Sequence, residues 1–317
     1  MSQSLFKVLK ARQPERAIDV LAPEWSLPVV SRMPEVRAGV VSKTAHGDID
    51  LATRRRVAAD LRDRYDQAIV IPRSFKAALV PWMARVPVRT GFRGELRYLL
   101  INDVRPFDRE VLGQTVKRFV ALGLDAGEDL PRELPHPSLR ISTENQARLL
   151  EALGLDLERP IVAMMPGAEY GPAKRWPLEY FTALAARLEA AGYGVWIFGS
   201  PKDAAAGSRI AAGIRALNLC GQTSLEDVID LLAACEQAVS NDSGLMHIAA
   251  AVGTRVHVIY GSSSSKITPP LTKSREIYEI DLKCKPCFKR KCPLGHLRCL
   301  REVSVDAVFE KVVAKNS

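Results

Sequence analysis

The first apolar positions along the chain, Leu5, Val8 and Leu9, recur at i, i+3 and i+4. That spacing predicts an amphipathic helix closing near Gln13-Pro14. A short apolar run over 18–21 predicts a strand directly after it. Further strands are predicted over 36–41 and 68–71, and helices over 57–65, 75–84 and 110–122. Beyond a helix at 144–153 the alternation repeats with sharper contrast. Strands are expected at 161–165, 193–198, 238–240 and 256–260, and helices at 178–191, 204–217, 225–234 and 243–252. This is the grammar of an α/β chain with two doubly wound parallel sheets.

A doubly wound half normally opens with a central strand that is buried on both faces. Here the first helix has none before it, and omitting such a strand leaves a hole in the core. The expectation is a first N-terminal strand missing because the chain starts late, at an internal Met. The alternative is a permuted or smaller sheet. The proline- and charge-rich stretch 129–136 reads as a surface connection and 154–160 as the interdomain linker. The expected domains are thus 1–156, truncated at its start, and 157–317, closed by a terminal helix.

Composition narrows the partners. The chain has 317 residues and is 47% hydrophobic, enough for two cores. Lys and Arg number 45 against 36 acids, a net charge of +9 that favours an anionic partner. Aromatics are only 6%, and no strand shows the Gly-aromatic pattern of an RNA reader, so nucleic acid is not expected. No stretch approaches 18 consecutive apolar residues, and no leader opens the chain. A cytoplasmic protein is expected, its six cysteines reduced or metal-bound.

Four places carry chemistry. At Met165-Pro166-Gly167-Ala168 a strand ends in a turn, and Lys174-Arg175-Trp176-Pro177 follows. Ligands bind beyond the carboxyl ends of parallel strands, so Lys174 is placed to reach a phosphate, although such a lysine is also ordinary solvated surface. At Asn241-Asp242-Ser243-Gly244-Leu245-Met246-His247 a strand meets an Ala-rich helix whose free N–H groups and dipole favour an anion. Gly244 permits close approach, and His247 lies one turn in. The plainer reading is a helix cap with a packed histidine. Tyr260-Gly261-Ser262-Ser263, running on to Thr268-Pro269-Pro270, is a third strand-end turn; Gly261 and the hydroxyls suit ribose or diphosphate. Lastly, Cys284, Cys287, Cys292 and Cys299, with His296 as an alternative ligand, are spaced for a structural zinc site. The lysines and arginines around them, Lys283 to Arg298, form either a solvated face or a patch for a phosphorylated substrate or membrane.

Together these motifs resemble the ADP-heptose:lipopolysaccharide heptosyltransferases. The first half agrees as well, with Gln3-Ser4-Leu5-Phe6-Lys7, Leu21-Ala22-Pro23, Pro72-Arg73-Ser74-Phe75-Lys76 and Arg89-Thr90-Gly91-Phe92-Arg93-Gly94. The resemblance covers essentially the whole chain. It implies a GT-B fold of two Rossmann-like domains facing a cleft, and an inverting transfer that needs no metal. The donor it implies is ADP-heptose; the acceptor is the inner-core heptose of Kdo2-lipid A, at the inner face of the inner membrane, where the protein would be peripheral. By motif, Lys174 holds the donor phosphate and Asp242 the heptose hydroxyls. Ser243 and Gly244 hold the diphosphate, with Gly167, Gly261 and His247 lining the pocket. Ser74 and Lys76 fall on the acceptor side.

Two departures from the pattern matter. The family carries its catalytic Asp, the general base, in a Gly-Asp turn expected just before Met1, so no base is assigned here. Relatives commonly read Ser-Pro-Asp-Phe where this chain has Ser264-Ser265-Lys266-Ile267. The alternative to an active transferase is therefore a nucleotide-sugar binder without the base. A dinucleotide dehydrogenase is disfavoured, because no G-x-G-x-x-G follows any predicted strand.

Overall fold

In the computed structural model, which describes residues 1–43 and 49–314, every paired strand runs parallel to its neighbour. The chain divides into two units, Met1–His136 and Pro137–Ser317. The first contains α1 Gln3–Arg12, β1 Asp19–Ala22, α2 Leu27–Ser31, β2 Ala38–Val41, α3 Leu51–Asp60 and β3 Gln67–Ile69. It continues through α4 Phe75–Met83, β4 Val88–Phe92, β5 Asp103–Arg105 and α5 Thr115–Ala121.

These five strands form two separate sheets, β1-β2 and β3-β4-β5, instead of one. Each sheet ends in a strand with a neighbour on one side only, β1 in one and β3 in the other. Burial reflects this: none of the β3 residues is fully buried, and Leu21 in β1 is 39% exposed. α3 and α4 nevertheless join the two sheets through one apolar cluster, in which Val57, Leu61 and Val80 pack with Val40 of β2 and Ala68 of β3. α1 lies against α5, where Gly123 makes room for Leu5; a Cβ there would sit 2.5 Å from Leu5 Cδ1.

The second unit runs α6 Thr143–Ala152, β6 Ile161–Met165, α7 Leu178–Ala190, β7 Gly194–Ile197, α8 Ala204–Ala211, β8 Leu217–Asn218 and α9 Leu225–Ala233. After these come β9 Gln237–Asn241, α10 Gly244–Ala251, β10 Arg255–Tyr260, β11 Arg275–Glu279, α11 Arg298–Arg301 and α12 Val305–Val313. Its strands make one sheet in the order β11-β10-β9-β6-β7-β8. Read from β8, that is the doubly wound order, reversing direction between β6 and β9. β6 and β9 are buried at every residue, as central parallel strands must be. Around them, Phe181, Leu184 and Leu188 of α7 pack with Val308 and Val312 of α12. Each such side chain contributes about 1.5–3 kcal/mol on burial.

The division falls ahead of α6, where the sequence placed it after. α6 belongs with the second unit because its start is tied to α9. Ser142 N and Asn145 Nδ2 donate to the Asp230 carboxylate, and Gln146 Nε2 donates to the Asp230 carbonyl. A proline-rich stretch does mark the true junction, since 129–136 ends at the boundary.

Candidate functional site

The strand order reverses between β6 and β9, the point at which open α/β sheets bind ligands beyond the carboxyl ends of their strands. Two loops meet there, the one after Met165 and the turn after Asn241, and the first is held rigidly. Trp176, 2% exposed, donates Nε1–H to the Val303 carbonyl at 3.0 Å and stacks edge-on against Phe181 and Tyr180. Its backbone N–H donates to Asn241 Oδ1 at 2.9 Å, while Asn241 Nδ2 donates to the Pro166 carbonyl at 2.7 Å. One buried asparagine therefore clamps both ends of the loop to the neighbouring strand.

Lys174 stands two residues before that anchor. Its Nζ donates to Asp242 Oδ2 at 2.5 Å, with the side chains 18% and 5% exposed. Ser263 Oγ donates to the same oxygen at 2.6 Å, and Nζ also lies 5.1 Å from the centroid of the Tyr170 ring. The cation is thus aimed at the end of β9 from a loop 68 residues earlier.

Beside this pair begins α10. Ser243, at its N-cap, makes no side-chain capping bond, so the first-turn N–H groups keep their donor capacity. A Cβ built on Gly244 meets nothing within 4 Å; the backbone there is open to approach. His247, half-buried one turn in, has its imidazole pushed down to about 4, chiefly by burial; Asp242 opposes the shift and Lys174 reinforces it. It is neutral at pH 7, a hydrogen-bonding group rather than a charge.

Two glycines have a different task. A Cβ on Gly261 would lie 2.3 Å from the Ala173 carbonyl oxygen, and Ser262 N–H donates to that oxygen at 2.9 Å. A Cβ on Gly167 would lie 2.8 Å from Asp203 Oδ2. Both permit close backbone packing around these strand ends. The roles of Asn241, Tyr170 and Ser263 were not foreseen, because each depends on contacts between distant segments. The only local signal for Asn241 was its place at the end of a buried strand.

The cysteine segment adjoins the same loops. Ala173 N–H donates to the Arg290 carbonyl at 3.1 Å, Phe288 N–H to the Ser262 carbonyl at 2.8 Å and Tyr170 Oη to the Phe288 carbonyl at 2.5 Å. All four cysteines carry free thiols. With His296, Lys285 and Ser262 they line one cavity of about 20 Å³. Backbone N–H groups of the following turn, Leu297 foremost, lower the Cys292 thiol, and burial raises that of Cys299. Among the described residues no group of three or more His, Cys, Asp or Glu side chains is gathered to hold a metal. The predicted zinc ligands therefore share a cavity without being drawn into a coordination set.

Ser74 and Lys76 lie in the first unit, at the carboxyl end of β3. Ser74 is the N-cap of α4 and makes no capping bond; Lys76 is half-buried and its carbonyl accepts from Arg54 Nη1 at 3.0 Å. Among the described residues no helix is long and apolar enough to cross a membrane.

Residues 54–298 match the profile of glycosyltransferase family 9 (heptosyltransferase). Lipopolysaccharide heptosyltransferase 2 of Salmonella typhimurium is 42% identical, over 98% of this chain and 93% of its own length. Among solved structures, Escherichia coli ADP-heptose lipopolysaccharide heptosyltransferase II superposes with a TM-score of 0.87 at 40% identity. That match covers 99% of this chain and 93% of that one. An E. coli heptosyltransferase in complex with ADP-2-deoxy-2-fluoro heptose shares the fold, with a TM-score of 0.70 at 20% identity over 99% and 97% of the two chains.

Proposed function

Since the chain belongs to glycosyltransferase family 9, the heptosyltransferases, we propose that the site between β6 and β9 binds ADP-heptose for transfer of the heptose to a lipopolysaccharide core. The observation that carries this reading is the Lys174–Asp242 pair set beside the uncapped start of α10. A cation and a row of free N–H groups suit a diphosphate, and the sugar next to it needs a carboxylate to accept from its hydroxyls. Relatives that match nearly full length give no support to a non-catalytic binder.

The chain's own residues perform recognisable steps. Lys174 Nζ holds the donor phosphate, and the N–H groups at Ser243 and Gly244 hold the diphosphate. As the bond from the anomeric carbon to the phosphate oxygen breaks, negative charge gathers on the departing ADP, and these donors stabilise it there. Both bonds to Asp242 in the structure fall on Oδ2, leaving Oδ1 to accept from heptose. Neutral His247 lines the pocket, and Gly167 and Gly261 let the backbone close around it. Ser74 and Lys76 face the anionic acceptor. Transfer needs no metal, and the enzyme works at the cytoplasmic face of the membrane that carries its acceptor.

ADP release from ADP-heptose, measured with a core acceptor, tests this. Lys174→Ala should lower kcat/KM by about 10²–10³, the usual cost of one transition-state donor, and Asp242→Asn, which weakens the acceptor for the heptose hydroxyls, should lower it as well, while Tm stays within a few degrees. Full activity in both variants would place the donor elsewhere.

The four cysteines are proposed to close on a structural zinc ion. Support comes from the shared cavity and from Ser262 Oγ, buried there with no hydrogen-bond partner. Elemental analysis should find about one zinc per chain, as a four-ligand site requires. Chelation should lower Tm, and a metal-free preparation of unchanged Tm refutes the site.

A further inference from the structure

Between β4 and β5 the chain leaves its sheet through a turn held from below. Arg97, 2% exposed, sends its guanidinium inward: Nη1 donates to the Pro72 carbonyl at 2.6 Å and Nη2 to the Phe92 carbonyl at 2.7 Å. The Glu95 carboxylate accepts from Phe75 N–H at 2.8 Å. Gly94 lies so close to the preceding loop that a Cβ there would stand 2.3 Å from the Arg73 carbonyl oxygen.

What this clamped turn presents outward is apolar. Leu96 is 84% exposed, Leu99 86% and Tyr98 54%. A single exposed leucine needs no explanation. Two, more than four-fifths exposed and three residues apart on a turn fastened by a buried arginine, are held out to solvent by design of the fold. Two arginines flank the turn. Arg93 donates to Tyr98 Oη from Nε at 3.0 Å and Nη2 at 2.9 Å and lies over its ring. Arg73, exposed, donates from Nη2 to the Arg93 carbonyl at 3.2 Å and lies 4.5 Å from the Phe107 ring centroid. The one acid in the turn, Glu95, is engaged by the Phe75 N–H. Leucines and an amphipathic aromatic flanked by arginine match the boundary between anionic headgroups and acyl chains.

We propose that the turn Arg93–Leu99 docks the enzyme on an anionic lipid bilayer, with Leu96, Tyr98 and Leu99 entering the headgroup boundary and Arg73 and Arg93 meeting lipid phosphates. The proposal rests on the reading that the acceptor is lipid-borne. It accords with position, because the turn leaves the carboxyl end of β4, next to the end of β3 that carries Ser74 and Lys76.

Co-sedimentation of the full chain with vesicles decides it. Binding is expected to vesicles of phosphatidylcholine with about a third phosphatidylglycerol, to weaken with salt, and to be slight on phosphatidylcholine alone. The double variant Leu96→Ser, Leu99→Ser should bind the anionic vesicles about tenfold less or weaker still. It should keep its Tm and its turnover on a lipid-free heptose–Kdo fragment, and lose turnover on acceptor embedded in vesicles. Wild-type chain that ignores anionic vesicles, or a double variant that sediments as wild type, overturns the proposal. So does equal loss on both acceptors. Wild-type failure on the lipid-free fragment would instead count against heptose transfer itself, leaving the sedimentation result to stand alone.

Discussion

Gly244 and Gly261 sit at strand-end turns a few residues from Asp242 and Ser263, yet the structure asks different things of them. Gly244 opens α10 with empty space where a Cβ would go. The fold does not need a glycine there, and alanine favours a helix by about 1 kcal/mol. Gly244→Ala should therefore leave Tm unchanged or raised, while its methyl group obstructs the diphosphate and raises the donor KM about tenfold, a loss of roughly 1.4 kcal/mol in binding. Gly261 is packed against the Ala173 carbonyl. Gly261→Ala should cost about 1–3 kcal/mol of stability and loosen the segment that aims Lys174. Thermal melts and donor titrations on the two variants separate ligand access from packing. If both lose stability alike, the helix start is not the open surface described.

At the scale of elements, the three strands at one side of the second sheet are tied by a buried polar chain. His257 in β10 meets Gln237 Oε1 of β9 through Nε2 at 2.8 Å and Tyr278 Oη of β11 through Nδ1 at 2.9 Å. Burial pushes its imidazole down to about 3, below the ordinary value of about 6.5. Between those values the unfolded chain binds a proton that the folded one refuses, so stability falls as pH drops. From pH 7 to 5 the loss at this residue is about 2 kcal/mol. Denaturant melts at the two pH values should show it, and His257→Gln, which cannot take up the proton, should lessen the dependence and leave the part due to His247. A slope unchanged in that variant would remove His257 from the cause.

The same network shows why parts of the fold were legible in the sequence and others not. β6 is an unbroken apolar run, β9 and β10 keep apolar cores at Ala238-Val239 and Val258-Ile259-Tyr260, and α9 announces itself through the capping box of Ser224 and Asp227. β11 reads Arg275-Glu276-Ile277-Tyr278-Glu279, an edge strand with three charged residues in five and no apolar run, and it escaped notice. β4, central in its sheet but only five residues long and interrupted by Arg89 and Gly91, and β5, with Asp103 and Arg105 about one apolar residue, escaped because neither carries an apolar run. α5 starts later than expected, at Thr115, because 110–114 folds into a turn in which Asp108 accepts from Glu110 N–H. For the site, the turns at strand ends were legible because topology places ligands there. The ion pair of Lys174 with Asp242 was not, since only the β6–β9 adjacency brings those residues together.

At the scale of the whole molecule, the two units differ in how completely their sheets are paired. β6 and β9 are flanked by strands on both sides, whereas β1 and β3 each have one pairing partner and carry half-buried side chains. Backbone groups on the unpaired edges have less protection. Amide hydrogen exchange should therefore release β1 and β3 well before β6 and β9, and equal protection in both units would contradict the split sheet.

The loop bearing Lys174 is closed by residues much further along the chain. Trp176 hangs on Val303, Ala173 pairs with Arg290 and Tyr170 with Phe288. A ribosome delivers residue 174 long before these partners emerge from the exit tunnel, so the nascent chain carries this loop without the contacts that fasten it. The loop therefore takes its final form only once residue 303 has emerged. A message cut short near codon 285 would then yield a chain with all six strands of this sheet, and Lys174 on a loop without its fastenings.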